Sequence, residues 1–336
     1  MRSGKISESV LKRSVLRLIE NSRKEVMKGA GIGVDCAFLS WGDPGSTEEG
    51  RVLASATETV SLPVRNPAYL AIMAAANNLA ASGAQAIAVS LSITLPADAE
   101  ETDLRELMNQ AGECCKKLGI QITGGHTEVS STVKAPVVTA TAMGKAQRVL
   151  IQERSSAKML EMDVVISKWI GMEGTSIIAG EKEEELSRRY PIRLIHDAQE
   201  IEKYLSVASE AAIALKSGVY AMHDVRNGGI FGALWELSRR LGVGLYIDLK
   251  RIPVKQETIE LCEFYHLNPY ELLSGGALIM VTSDGGRLVR MLEAEGISAA
   301  IIGNTNGSND KIIVNQDETR YLESAGPDEI LKLFFI

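Results

Sequence analysis

The chain has 336 residues, 45% of them hydrophobic and 24% charged, with 30 glycines, 9 prolines and a formal net charge of −7. That length exceeds one ordinary hydrophobic core and sets two domains as the expectation. The acidic balance, with no Lys/Arg stripe, argues against a nucleic-acid partner.

The start Met1-Arg2-Ser3-Gly4-Lys5 is basic, but no apolar stretch follows it, and no run of about 18 apolar residues occurs, so neither an export signal nor a membrane span is expected. Cys36, Cys114, Cys115 and Cys262 form no CxxC pair. Reduced thiols and no export signal place the chain in the cytoplasm.

In chain order, residues 9–27 read as an amphipathic helix. "GIGVDCAFLSWG" reads as a strand leaving a glycine turn, and "RVLASATETVSL" as a second strand. Residues 67–83 form an alanine-rich helix stopped by Gly83. Ile87, Val89, Leu91, Ile93 and Leu95 then alternate with Ala88, Ser90, Ser92 and Thr94, a strand with one bulky and one small face. The small face suits solvent or a close contact with another subunit. Residues 98–118 are helical, with Leu104, Leu107, Met108, Ala111, Cys115 and Leu118 on one face. "IQITGGH" reads as a short strand entering a glycine turn, and "APVVTATAMGKA" as another strand. The charged stretch Lys145 to Ser156 reads as a linker.

The second half opens with the strand "MDVVISKW", where Lys168 reads as a strand-end surface lysine, with a phosphate contact as the alternative. Helices follow near 174–189 and 198–216. In "VYAMHDVRNGGIFGALWELSRRLG" a strand meets a helix whose Ile230, Leu234, Leu237 and Leu241 share one face. Strands at 242–249, 277–283 and 298–305 alternate with helices at 255–267 and 286–296. The mixture suggests α+β rather than a regular parallel α/β fold. No G-x-G-x-x-G follows a first strand and opens a helix, which excludes a Rossmann dehydrogenase.

Asn227-Gly228-Gly229 sits where a helix begins, so N–H groups and the positive dipole end collect there, with Asp224 just before. Taken alone, this is a capped tight turn as readily as a phosphate site. Similar acid-and-glycine turns recur: Asp35 after Gly31 and Gly33, His126 and Glu128 after Gly124 and Gly125, Glu173 between Gly171 and Gly174, and Ser274-Gly275-Gly276. Together they read as one assembled site able to offer amides to phosphates and oxygens to Mg²⁺. His196 and His266 have no motif around them and read as structural.

As a set, "GKISESVLKRSV", "GIGVDCA", "NNLAASGA", "ITGGHTE", "GMEGTSIIAGE", "MHDVRNGGIFGAL" and "LLSGGAL" resemble, in order and over almost the whole chain, the superfamily of aminoimidazole ribonucleotide synthetase (PurM), the hydrogenase-maturation protein HypE, selenophosphate synthetase and thiamine-monophosphate kinase. The HypE-like, AIR synthase-related branch is the nearest in pattern. The resemblance implies an N-terminal ATP-binding and dimerisation domain at 1–150, which builds a β-barrel across a homodimer, and a PurM C-terminal-like domain at 151–336. It implies ATP and Mg²⁺ in a cleft between the domains. Asp35, Asn78 and Glu128 would hold the metal. Asp224, Asn227, Gly228, Gly229, Gly124 and Gly125 would bind the nucleotide. Lys5 and His126 would contact the transferring group.

Two departures weaken the metal set. Val34 stands where relatives carry an aspartate, and Asn78 replaces another. Each lost unit of charge 4 Å from a metal is worth roughly 4 kcal/mol at an effective dielectric near 20. The chain also ends "EILKLFFI", without cysteine, so the self-directed tail chemistry of HypE is not expected. The resulting expectation is an enzyme that uses Mg-ATP to phosphorylate or activate an oxygen of an unidentified second substrate. The alternative is a non-catalytic, dimeric nucleotide-binding sensor or partner protein.

Overall fold

In the computed structural model the described residues are 5–19, 21–40, 51–147, 160–324 and 326–334. Gly4, the strand end Trp41-Gly42 and the linker from residue 148 onward lie outside them. The amphipathic pattern of 9–27 yields a shorter helix than expected. Helix α1 is Glu8–Ser14, a 3₁₀ turn follows at Leu16–Leu18, and Val26–Lys28 is already strand β1. Asn21 and Ser22 sit between them, residues whose side chains bond nearby backbone and favour turns over helix.

The chain divides into two compact units. One comprises Arg23–Gly29 and Asp35–Gln152; the other comprises Met1–Ser22, Ala30–Val34 and Glu153–Ile336. The first carries β1, β2 (Ala37–Ser40), β3 (Arg51–Val60), α2 (Pro67–Ala81), β4 (Gln85–Leu95), α3 (Glu101–Leu118), β5 (Gln121–Val129) and β6 (Val137–Gln147). Its six strands are ordered β1-β2-β3-β6-β4-β5. Only β4 and β5 run parallel, and α3 makes the crossover between them.

Helix α2 packs against β3 and β6 on one side and α3 on the other. That position explains its composition: a helix covered all round must be apolar all round, and alanine permits close approach. Every residue of α2 except Asn78 is buried. Helix α3 begins with a reciprocal capping box between Glu100 and Asp103 and ends at left-handed Gly119. It buries Leu107, Ala111, Cys114 and Cys115 but leaves Met108 exposed.

In β4, Val89, Leu91, Ile93 and Leu95 are buried as the alternation predicts. A register shift between Ala86 and Ala88 leaves Ile87 exposed. The opposite sheet face is dressed in hydroxyls, with Thr57 bridged to Thr141 at 3.0 Å and Thr59 to Thr139 at 2.9 Å.

The second unit carries α1, then β7 (Asp163–Ser167), α4 (Met172–Glu181), α5 (Glu183–Leu186), α6 (Ile192–Gln199), a 3₁₀ turn (Glu200–Tyr204), α7 (Ala208–Ser217), β8 (Ala221–Val225) and α8 (Gly229–Leu241). It continues with β9 (Gly244–Asp248), α9 (Gln256–Tyr265), β10 (Ala277–Thr282), α10 (Gly285–Ala294), β11 (Ala299–Asn306), β12 (Lys311–Asn315), β13 (Glu318–Tyr321) and α11 (Leu331–Phe334). The sheet order is β13-β12-β9-β11-β7-β10-β8. The fold is α+β with two domains, as the pattern of elements suggests.

Lys168 differs from its sequence reading as a surface lysine. It is buried, donates to Tyr204 O at 2.8 Å and Ser206 O at 2.7 Å, and pairs with Glu210. Its ammonium ties β7 to the loop before α7. His266 ends α9 in the left-handed conformation, a structural role.

Candidate functional site

Three of the five acid-and-glycine turns converge in the seven-stranded unit. Arg226, just after β8, reaches Glu173 in the first turn of α4 with both ends of its fork, at 3.1 and 3.0 Å. Both side chains are almost wholly buried. The Ser274 loop closes the knot: its N–H donates to Arg226 O, its hydroxyl accepts from Gly171 N at 2.7 Å, and Leu273 O accepts from Gly174 N. Glycine is required at 275 because a Cβ there would lie 2.1 Å from Glu173 Oε2. Paired charges of this kind tolerate burial only when fully bonded.

The Asn227-Gly228-Gly229 turn does begin α8, with Gly228 as its left-handed N-cap. Two of its N–H groups, and one in the first turn of α8, bond within the unit. Gly228 N donates to Asp328 Oδ2 at 2.7 Å, Gly229 N to Arg226 O, and Phe231 N to Tyr270 O. Gly229 has φ +60°, and a Cβ there would meet Tyr270 O at 2.4 Å. The left-handed backbone of Gly228, at φ +77°, and the packing of Gly229 thus account for both glycines without a phosphate. Asp328 went unread in the sequence, being one of two adjacent acids in a short terminal segment with no motif around it.

Asp224 is buried on β8, opposite Leu278 of β10. Its neighbour His223 is 3% exposed and lies 3.4 Å from Glu236 of α8. Glu236 also receives Lys5 Nζ at 2.5 Å. Burial raises the Glu236 carboxyl, but His223 and Lys5 outweigh it and hold the group at about 2. Glu8 secures the same arm, accepting from Trp235 Nε1 at 2.9 Å and pairing with Arg239. So Lys5 rests on α8. Gly33 packs there too, since a Cβ would meet Glu236 O at 2.5 Å.

In the six-stranded unit, Gly124 and Gly125 do not end a strand, as the sequence suggested. Strand β5 runs through them to Val129. A Cβ at Gly125 would come within 1.7 Å of Leu91 O on β4, so the close approach of two strand backbones demands glycine. His126 and Glu128 follow on the same face of β5, both exposed and 3.6 Å apart, level with Ser92 and Thr94 of β4. That is the hydroxyl face.

Asn78 lies on the other face. Its Nδ2 donates to Glu58 Oε1 at 2.7 Å, and Glu58 shares the strand parity of buried Ala54, Ala56 and Val60. Within one chain, the sheet therefore stands between Asn78 and Glu128. Glu58 is a site candidate that the sequence reading missed; its signal was a single acid inside the small-residue alternation "SATETV". Asp35 begins the unit's second segment, immediately before β2. Among the described residues, no three His, Cys, Asp or Glu side chains are grouped to hold a metal ion by themselves.

Comparison with known proteins agrees with this frame. Residues 33–146 match "AIR synthase related protein, N-terminal domain" and residues 163–315 match "AIR synthase related protein, C-terminal domain". A Methanocaldococcus jannaschii protein named for hydrogenase expression/formation is 25% identical over 93% of this chain and 91% of its own. The carbamoyl dehydratase HypE of Rhodobacter capsulatus is 25% identical over 76% of each chain. A crystal structure of HypE in complex with ATP superimposes with a TM-score of 0.68 and 17% identity, covering 98% of this chain and 97% of that one; at this identity it speaks for the fold. With both halves matched in order, the chain belongs to the AIR synthase-related family, in its HypE-like part.

Proposed function

We propose that this protein binds Mg-ATP and uses it to phosphorylate or activate an oxygen, of amide, carbonyl or phosphate type, on a small substrate or protein group. The observation that carries the reading is the match of both family domains in order, in relatives that include a HypE solved with ATP. Phosphoryl transfer relies on positioning and charge neutralisation more than on a covalent nucleophile. That suits a chain whose candidate residues are carboxylates, amides, one histidine and one lysine.

The donor chemistry fits Mg²⁺. This ion needs only one or two carboxylates, with phosphates and water completing its shell, so a preformed cluster of three acids is unnecessary. Asp35 and the Asn78–Glu58 pair would hold it, with Asn78 using its amide oxygen. Bound Mg²⁺ would screen the phosphate charge. Glu128, on the opposite sheet face, joins that set only if a second copy presents its own Glu128.

In the same reading, Asp224 and Asn227 meet the nucleotide, while Gly228, Gly229, Gly124 and Gly125 fix the backbone that carries the contacts. Lys5 leaves Glu236 to reach the transferring phosphoryl group, and His126 is oriented by Glu128. The acceptor oxygen attacks the terminal phosphorus as the bond to ADP breaks.

A homodimer is part of the proposal. Strand β5 is an exposed edge along nearly its whole length, and Val129 and Ile87 leave apolar surface beside it. Sedimentation at micromolar concentration tests this: a dimer is expected, and a monomer contradicts it.

A second reading is favoured by one observation. The amide at 78 bonds a carboxylate rather than adding one, which suits a nucleotide-binding sensor without turnover. Phosphate release from Mg-ATP across amide, thioacid and phosphate substrates tests the choice. Substrate-stimulated release that falls at least tenfold in Asp35→Ala is the expected result. Tight ATP binding without release under any substrate selects the sensor, and release unaffected by Asp35→Ala refutes the assignment.

A further inference from the structure

The segment 326–334 ends the described chain, yet it is fastened to the centre of the glycine-turn knot. Asp328, 7% exposed, directs its carboxylate at three backbone amides. Oδ2 accepts from Gly228 N at 2.7 Å, and Oδ1 accepts from Leu273 N at 3.1 Å and Ile330 N at 3.0 Å. Two of these donors belong to motifs distant in the chain: the turn opening α8 and the loop that bonds Gly171 and Gly174. Glu329 adds a second fastening, accepting from Asn268 N at 2.9 Å and pairing with Lys332, while its own N–H donates to Glu271 O.

We infer that Asp328 is a positioning residue for the nucleotide site: its carboxylate serves as a built-in anion that fixes the Gly228 turn and the Leu273 loop relative to each other. The inference rests on the proposal that Asp224 and Asn227, beside that turn, meet the nucleotide. The N–H of an N-cap residue is met locally by an acceptor side chain at the third helical position; here that position is Phe231, which has no acceptor, and the acceptor comes from 100 residues away. The carboxylate thereby links three segments that sequence-local capping cannot link. Only an ionised carboxylate keeps both oxygens as acceptors for all three amides.

The charged groups around it are Glu173, neutralised by Arg226, together with Glu271 and the Glu329–Lys332 pair. Burial chiefly raises the Asp328 carboxyl, the three amides oppose the rise, Glu173 adds to it, and the group settles at about 6. The fastening should therefore weaken as pH falls through that value.

The test compares wild type, Asp328→Asn and, as a control on the same segment, Lys332→Ala. Amide hydrogen exchange of the nucleotide-free protein at pH 7.5 reads the fastening; titration with Mg-AMPPNP from pH 5 to 8 reads its consequence. Asp328→Asn should lose protection at 226–230 and 272–275 and bind roughly ten- to hundredfold more weakly at pH 7.5. Its affinity should also lose the wild-type fall below about pH 6, while Lys332→Ala resembles wild type. Unchanged protection in Asp328→Asn overturns the inference. So does lost protection with unchanged affinity. If wild type binds no nucleotide, the functional proposal fails and the positioning role falls with it, while the exchange result alone decides whether Asp328 fastens the turns.

Discussion

At the residue scale, two carboxyls titrate in opposite senses. Glu236 is held at about 2, below the ordinary 4.5, by His223 and Lys5 against the opposing effect of burial. Its contribution to stability is complete above about pH 4.5 and is lost as pH falls toward 2. Asp328 is raised from 3.8 to about 6. The folded state then binds the extra proton between those values, so this group's contribution declines as pH rises from about 4 to 6. Melting curves from pH 2 to 7 should show Glu236→Gln removing a loss on the acid limb, and Asp328→Asn removing a decline between pH 4 and 6. Identical profiles for either variant and wild type would contradict the corresponding assignment. The Arg226–Glu173 pair makes a sharper prediction. Arg226→Met strands a buried carboxylate and should destabilise by about 3–5 kcal/mol in urea unfolding, whereas the double change Arg226→Met/Glu173→Leu should recover much of that.

At the level of elements, β5 shows what sequence can and cannot carry. Gly124-Gly125 looked like a turn because glycine pairs commonly break strands. Nothing local records that Leu91 on β4 passes so close that a side chain at 125 has no room. Gly125→Ala should therefore separate β5 from β4, raising hydrogen exchange across 121–129; protected β5 amides in that variant would contradict the packing argument. Elements with strong periodicity were legible: β4, α2, α3 and α8 occupy the residues their patterns indicate, because burial on one face imposes that spacing. The helix over 9–27 was legible only at its start. Strands β12 and β13 were missed: short and partly exposed, they have too little burial to leave a pattern. For the site, the acid-and-glycine turns at 171–176, 223–229 and 272–276 were legible as a recurring type and do assemble. Lys168 was misread because a strand-end lysine looks the same whether it meets water or the carbonyls of Tyr204 and Ser206. Glu58 and Asp328 were not legible because their significance lies in partners 20 and 100 residues away.

For the whole molecule, the proposed function divides its labour between two units that keep the family's order of domains. The six-stranded unit carries Asp35, the Glu58–Asn78 pair, His126 and Glu128. The seven-stranded unit carries Asp224, the fastened glycine turns and the Lys5 arm. Under the proposed function, catalysis rests on positioning and charge neutralisation, so weakening either set should weaken binding. Calorimetric titration of the full chain with Mg-ATP is the most direct measurement. Saturable, Mg²⁺-dependent binding is expected in wild type, with a drop of at least tenfold in Asp35→Ala and in Asp224→Ala. Binding undiminished in both variants, or no binding by a folded wild-type protein, would contradict the proposed function.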